Sequence, residues 1–129
     1  MTLTVGLVGE AATTVDASLL ASSVGSGGLE VFSTPSLVAL MENAARQAVE
    51  ALLPTNQITV GVRIDVQHLA ATPVGAQVRA RAEVTQVEGR RLVFHVTAFD
   101  EQEKIGEGTH ERMVVDPARL VARANAKRT

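Results

Sequence analysis

The chain has 129 residues, is 46% hydrophobic and 20% charged, and carries a formal net charge of −2. That composition fits one globular domain with one core, argues against intrinsic disorder, and gives no electrostatic case for binding nucleic acid or an anionic membrane. Cysteine is absent, which excludes disulfides, thiolate chemistry and zinc-thiolate sites; with no Trp or Tyr and three Phe, the core must be built from Val, Leu, Ile and Ala.

Residues 3–15 read as extended, in one strand or two short ones. The opening MTLTVGLVGEAATTV has no basic n-region, so no signal peptide is read. No apolar run reaches the roughly 18 residues that would span a bilayer, and a cytoplasmic location is expected. Residues 16–20 suggest a short helical turn. SSVGSGG (22–28) holds three glycines in seven residues and reads as a mobile loop.

The strongest helix is predicted over residues 35–53. Thr34 suits its N-cap, and Pro35 suits the first turn, where its missing N–H costs nothing. Leu37, Leu40, Met41, Ala44, Ala45, Ala48 and Leu52 recur at three- and four-residue steps, and Pro54 ends the pattern. At about 1.5 Å per residue the helix is ~28 Å long, enough to cross a sheet.

Four strands are then predicted: 57–68, 74–87 (Val78, Ala80, Ala82 and Val84 alternating inward), 92–99 and 105–115, joined by turns at EGRR and DEQEK. Asp116-Pro117 opens a short helix with a basic tail through residue 129. Consecutive strands with one segregated long helix predict a single α+β domain, a curved antiparallel sheet wrapped around a central helix, which is the hotdog fold. Open sheet edges in such a fold predict a homodimer.

Three polar residues stand where apolar ones are expected. In QITVGVRIDVQH the residues Ile58, Val60, Val62, Ile64 and Val66 fall on one face, and His68 continues that stripe. A histidine there is either a half-solvated strand end or a general base, since its pKa lies near neutrality. Glu42 falls about 100° beyond Met41 on the helix, at the margin of the buried face. Thr34 sits at the positive end of the helix dipole, where an anionic intermediate would be stabilised. Asp16, Asp65, His95 and His110 are weaker candidates. His95 reads as outward-facing, and His110 could face either way. No metal-ligand spacing occurs, so no metal site is expected. GSGG lacks the Lys-Ser/Thr that would make it a phosphate loop.

HLAATPVG (68–75), VEGRRLVFHVTAFD (87–100) and IGEGTHERMVV (105–115) resemble the fluoroacetyl-CoA thioesterase-like branch of the hotdog thioesterases over residues 31–115. The resemblance implies hydrolysis of an acyl-CoA thioester by a Thr-Glu-His set at a dimer interface, here Thr34, Glu42 and His68. It needs no cofactor beyond the CoA carried by the substrate. It also implies that Gly61 and Arg112 lie beside the substrate. The family's aromatic lid is replaced here by VGSGGLEVF, which leaves Phe32 as the one aromatic available to line the substrate and leads away from fluoroacetyl-CoA towards a different or broader acyl group. A hotdog hydratase or dehydratase acting on acyl-CoA, and a silent hotdog dimer that only binds it, are the competing readings.

Overall fold

The computed structural model describes residues 2–128. Strands β1 (Val8–Thr14), β2 (Ile58–His68), β3 (Gln77–Glu88), β4 (Arg91–Phe99) and β5 (Lys104–Val115) form one antiparallel sheet in the order β1-β3-β4-β5-β2. The long helix α2 (Thr34–Val49) lies against one face, chiefly over β1 and β3. A one-turn helix α1 (Ala21–Val24) precedes it, and α3 (Pro117–Asn125) follows the last strand. This is the hotdog arrangement expected from the order of helix and strands. No helix among the described residues is long and apolar enough to cross a membrane.

The core follows from alternation. Val78, Ala80, Ala82 and Val84 of β3 and Leu92, Phe94, Val96 and Ala98 of β4 are buried beneath Leu37, Met41, Ala44, Ala45 and Ala48 of α2. Small side chains on both layers let helix and sheet approach closely. The approach is tightest at Gly9 in β1, where a Cβ would stand 2.2 Å from the Ala44 carbonyl oxygen and 2.3 Å from the Ala48 nitrogen. Only glycine can occupy that crossing.

Several boundaries differ from expectation. The α-helix ends at Val49, with Glu50–Leu52 tightening into a 3-10 turn before Pro54, as last turns commonly do. Part of the glycine-rich stretch is helical. Residues 22–24 belong to α1, which Gly25 terminates in the left-handed conformation (φ 76°). The β3 strand begins at Gln77 rather than residue 74.

The larger correction concerns β2. Its pairing with β5 shifts register between Gly61 and Arg63: Gly61 opposes Arg112, and Arg63 opposes Glu111. Val62 is therefore a bulge residue with no cross-strand partner, and it is 55% exposed. One inserted residue reverses the alternation. Thr59 and Gly61 face the helix side before the bulge, and Ile64, Val66 and His68 face it afterwards, opposite His110, Gly108 and Gly106. Ile58 and Val60 thus lie on the other face, and the five-residue aliphatic stripe does not exist as one surface.

Gly9→Ala should destabilise the fold by about 3 kcal/mol, because the clash is with helix backbone rather than a movable side chain. Thermal unfolding should show a Tm lowered by about 10 °C. An unchanged Tm would mean that α2 does not sit on β1 as described.

Candidate active site

Ser33, not Thr34, caps α2. The Ser33 Oγ accepts from the Ser36 N–H at 3.1 Å and contacts the Ser36 Oγ at 2.7 Å, while Thr34 is the first helical residue. The displacement by one residue releases the Thr34 hydroxyl, whose Oγ1 lies 2.7 Å from His68 Nδ1. It also disposes of most N–H groups at the helix start. Pro35 has none, the Ser36 N–H is capped, and the Leu37 N–H donates to the Ser33 carbonyl. The Thr34 N–H is left without a partner among the described residues.

His68 ends β2 on the inner face, half-buried. Burial pushes its pKa below the ordinary histidine value, against an opposing pull from the Ala70 backbone. The imidazole is thus held neutral near pH 7. Its Nε2 is buried and has no hydrogen-bond partner among the described residues. Thr34 and His68 open onto a cavity of about 490 Å³, whose other walls include Ala21, Gly27, Gly28, Leu29, Phe32 and Ala70. The glycine-rich segment is thus a wall of the site. Phe32 is a core residue, 1% exposed, that also lines the cavity. The volume lies within the ordinary range for small-molecule sites.

Glu42, Gly61 and Arg112 form a second cluster. The Arg112 guanidinium is buried. Its Nε donates to Thr59 Oγ1 and its Nη2 to the Thr59 carbonyl, each at 2.8 Å, and its Nη1 lies 3.6 Å from Glu42 Oε2. Gly61 leaves space for the carboxylate: a Cβ there would stand 2.7 Å from Glu42 Oε2. Within one chain Glu42 does not join Thr34 and His68, because eight residues of helix separate Thr34 from Glu42 by ~12 Å.

His110 faces inward and is buried, a placement that the sequence left open. Its Nδ1–H donates to the Arg63 carbonyl at 2.8 Å and its Nε2 accepts from Arg112 Nη1 at 3.2 Å, which fixes a neutral tautomer. Burial holds its pKa low. Thr59, which with His110 orients Arg112, was not singled out in the sequence because a strict two-residue period puts it on the outer face of β2, and the bulge reverses the faces. The one available signal was the glycine beside the strand centre, a common bulge marker. His95 faces outward, 2.9 Å from Glu107, as expected. Asp16 caps the turn Ala17–Leu19, and Asp65 is exposed on the outer face, so neither reaches the site.

The fold is the hotdog fold of the thioesterase superfamily. The sequence model of the fluoroacetyl-CoA-specific thioesterases (FlK) matches residues 15–118, and the chain belongs to that family. The fluoroacetyl-CoA thioesterase of Streptantibioticus cattleyicolor is 43% identical over 98 residues, 76% of this chain and 70% of that protein. A structure of the fluoroacetyl-CoA thioesterase FlK superposes with a TM-score of 0.93 at 33% identity, covering 100% of both chains. A threonine-to-serine variant of FlK in complex with acetyl-CoA superposes with a TM-score of 0.92 at 33% identity, over 98% of this chain and 100% of that one.

Gly61→Ala should displace the Glu42 carboxylate from Arg112 while leaving the fold intact, since the crowded atom is the end of a flexible side chain. A Tm within about 4 °C of the parent, with thioester hydrolysis reduced on the order of a hundredfold, is the expected outcome if Glu42 takes part in the reaction. Undiminished hydrolysis would separate Glu42 from the chemistry.

Proposed function

We propose that this chain hydrolyses acyl-CoA thioesters to the free acid and CoA as a homodimer. Each site combines Thr34 and His68 of one protomer with the partner's Glu42. The observation that carries the reading is the 2.7 Å contact between Thr34 Oγ1 and His68 Nδ1, two residues that line the cavity of about 490 Å³.

A hydroxyl in contact with a neutral imidazole is an activated nucleophile or a water-positioning group. As the Thr34 oxygen attacks the thioester carbonyl, its proton passes to Nδ1. The C–S bond then breaks, and the same proton returns to the departing thiolate. Water cleaves the acyl-threonine in a second pass of the same cycle. The unpaired Thr34 N–H and the N-terminal end of the α2 dipole favour the oxyanion. Arg112 holds Glu42 in place, and the CoA of the substrate is the only coenzyme required.

The dimer follows from what one chain leaves unfinished. Among the described residues the β2 edge has no neighbour, α2 covers chiefly β1 and β3, and His68 Nε2 is buried with no acceptor. A buried unpaired donor costs about 1–3 kcal/mol. Antiparallel pairing of two β2 edges sets Gly61 of one strand beside the His68 end of the other, at the ~4.8 Å spacing of neighbouring strands. The partner's Glu42, resting on its own Gly61, then approaches the vacant Nε2. The thioesterase activity and acetyl-CoA complex of FlK support CoA thioesters as the substrate class.

The test is CoA release from a panel of short, branched, aromatic and halogenated acyl-CoAs. Thr34→Ala, His68→Ala and Glu42→Gln should each lose on the order of a hundredfold or more in kcat. Mixing the His68→Ala and Glu42→Gln proteins should restore about a quarter of parental activity through heterodimers with one intact site. No recovery on mixing would refute a shared site, and no CoA release by the parent would refute the thioesterase itself.

Because burial lowers the His68 pKa, the base is unprotonated at neutrality. The kcat/KM profile should stay flat through pH 7 and fall only below about pH 6.5. An acid limb centred above pH 7 would remove His68 from the role of base.

A further inference from the structure

The last 14 residues, 116–129, hold four of the twelve Lys and Arg but one of the fourteen Asp and Glu. On a chain of net charge −2 this is a local reversal of sign. Arg119 and Arg123, one turn apart on α3, line a cleft of about 230 Å³ with Arg90 from the β3–β4 turn. Val115, Asp116 and Leu120 complete it. Four other arginines, at positions 46, 81, 91 and 112, face carboxylates. The guanidinium groups of Arg90, Arg119 and Arg123 meet no acid and no hydrogen-bond acceptor among the described residues. The acid in the cleft, Asp116, is engaged through Oδ1 as the α3 cap, accepting from the Ala118 and Arg119 N–H groups.

Three unpaired like charges around one concavity repel each other until a multivalent anion enters. Guanidinium groups match phosphate oxygens in geometry as well as charge. The cleft volume equals that of roughly eight water molecules, which suits a phosphate group with its waters rather than a buried nucleoside. We propose that Arg90, Arg119 and Arg123 bind the phosphates of the CoA whose thioester is cleaved in the partner protomer.

The assignment rests on the dimer and the reaction proposed above. Within one chain the cleft is remote from the thioester. It adjoins the Ile58–Val115 end of the β2–β5 pair, whereas His68 pairs with Gly106 at the other end. Eleven residues of strand span ~33 Å. Antiparallel contact of two β2 edges closes that gap, because it sets the Ile58 end of one strand beside the His68 end of the other. The acyl group then reacts in one protomer while the nucleotide lies along the other.

The test uses the full-length dimer and the exposed pair Arg119→Gln/Arg123→Gln. Calorimetric titration with adenosine 3′,5′-bisphosphate should show binding weakened on the order of tenfold per arginine. In parallel, the preference for an acyl-CoA over the same acyl group on pantetheine, read as the ratio of kcat/KM values, should fall by a similar factor. A ratio and titration indistinguishable from the parent would overturn the assignment. If the parent hydrolyses no thioester, the reaction reading fails separately and the titration decides the cleft: binding lost in the variant supports it, and absent or unaltered binding ends it.

Discussion

Val62 sits in β2 without a cross-strand partner, because Gly61 opposes Arg112 and Arg63 opposes Glu111. The two polar clusters depend on that single insertion. Without it, the face that carries Gly61 would carry Arg63 and Asp65 next, and His68 would point away from α2. With it, Gly61 can seat Glu42 and His68 can meet Thr34 from the same face of the same strand. The carbonyl beside the bulge also takes the His110 Nδ1–H, and His110 in turn orients Arg112. A bulge in an edge strand bends and twists it, and here that distortion re-aims side chains at a site.

The helix contributes a comparable displacement by one residue. A threonine that capped α2 would have its hydroxyl committed to a backbone N–H. Ser33 takes that task, buried and fixed by Ser36, and Thr34 remains free to face the imidazole. The Ser-Thr-Pro order therefore gives the capping bond to one hydroxyl and leaves the adjacent one to contact His68. It also leaves the Thr34 N–H as the one unbonded donor in the first turn among the described residues, because Pro35 supplies none and the next two are bonded.

The helix, the strands and the layer order were legible because burial imposes periodicity over many residues. Leu37, Met41, Ala44 and Ala48 recur at helical steps, and Val78 to Val84 alternate, so small local errors average out. The bulge and the cap were not legible because each turns on one residue. A strict two-residue period through residues 58–66 reads as an unbroken stripe, and nothing in QITVGVRIDVQH except Gly61 hints that the faces exchange. His68 was assigned inward by that faulty stripe and is inward for a different reason: the bulge corrects the phase after Val62. Ser33 and Thr34 are both good capping types, and only the bond from the Ser36 N–H to Ser33 Oγ distinguishes them. Glu42 was placed at the margin of the buried face, and it lies there, 40% exposed by side chain.

The rise of an α-helix sets the final constraint. Thr34 and Glu42 lie on the same helix, two turns apart, so no rotation of side chains within one chain can bring both to a single thioester carbon. A monomer can hold Thr34 against His68 and Glu42 against Arg112, and it does both. Bringing the two clusters together requires a symmetry operation that reverses the direction of β2, and a twofold axis beside an antiparallel edge strand is the simplest one. The unpaired edge, the half-covered inner face and the orphaned His68 Nε2 then have one common remedy. In the dimer proposed above, the pairing that supplies the missing backbone hydrogen bonds is the same pairing that would deliver a carboxylate to the imidazole.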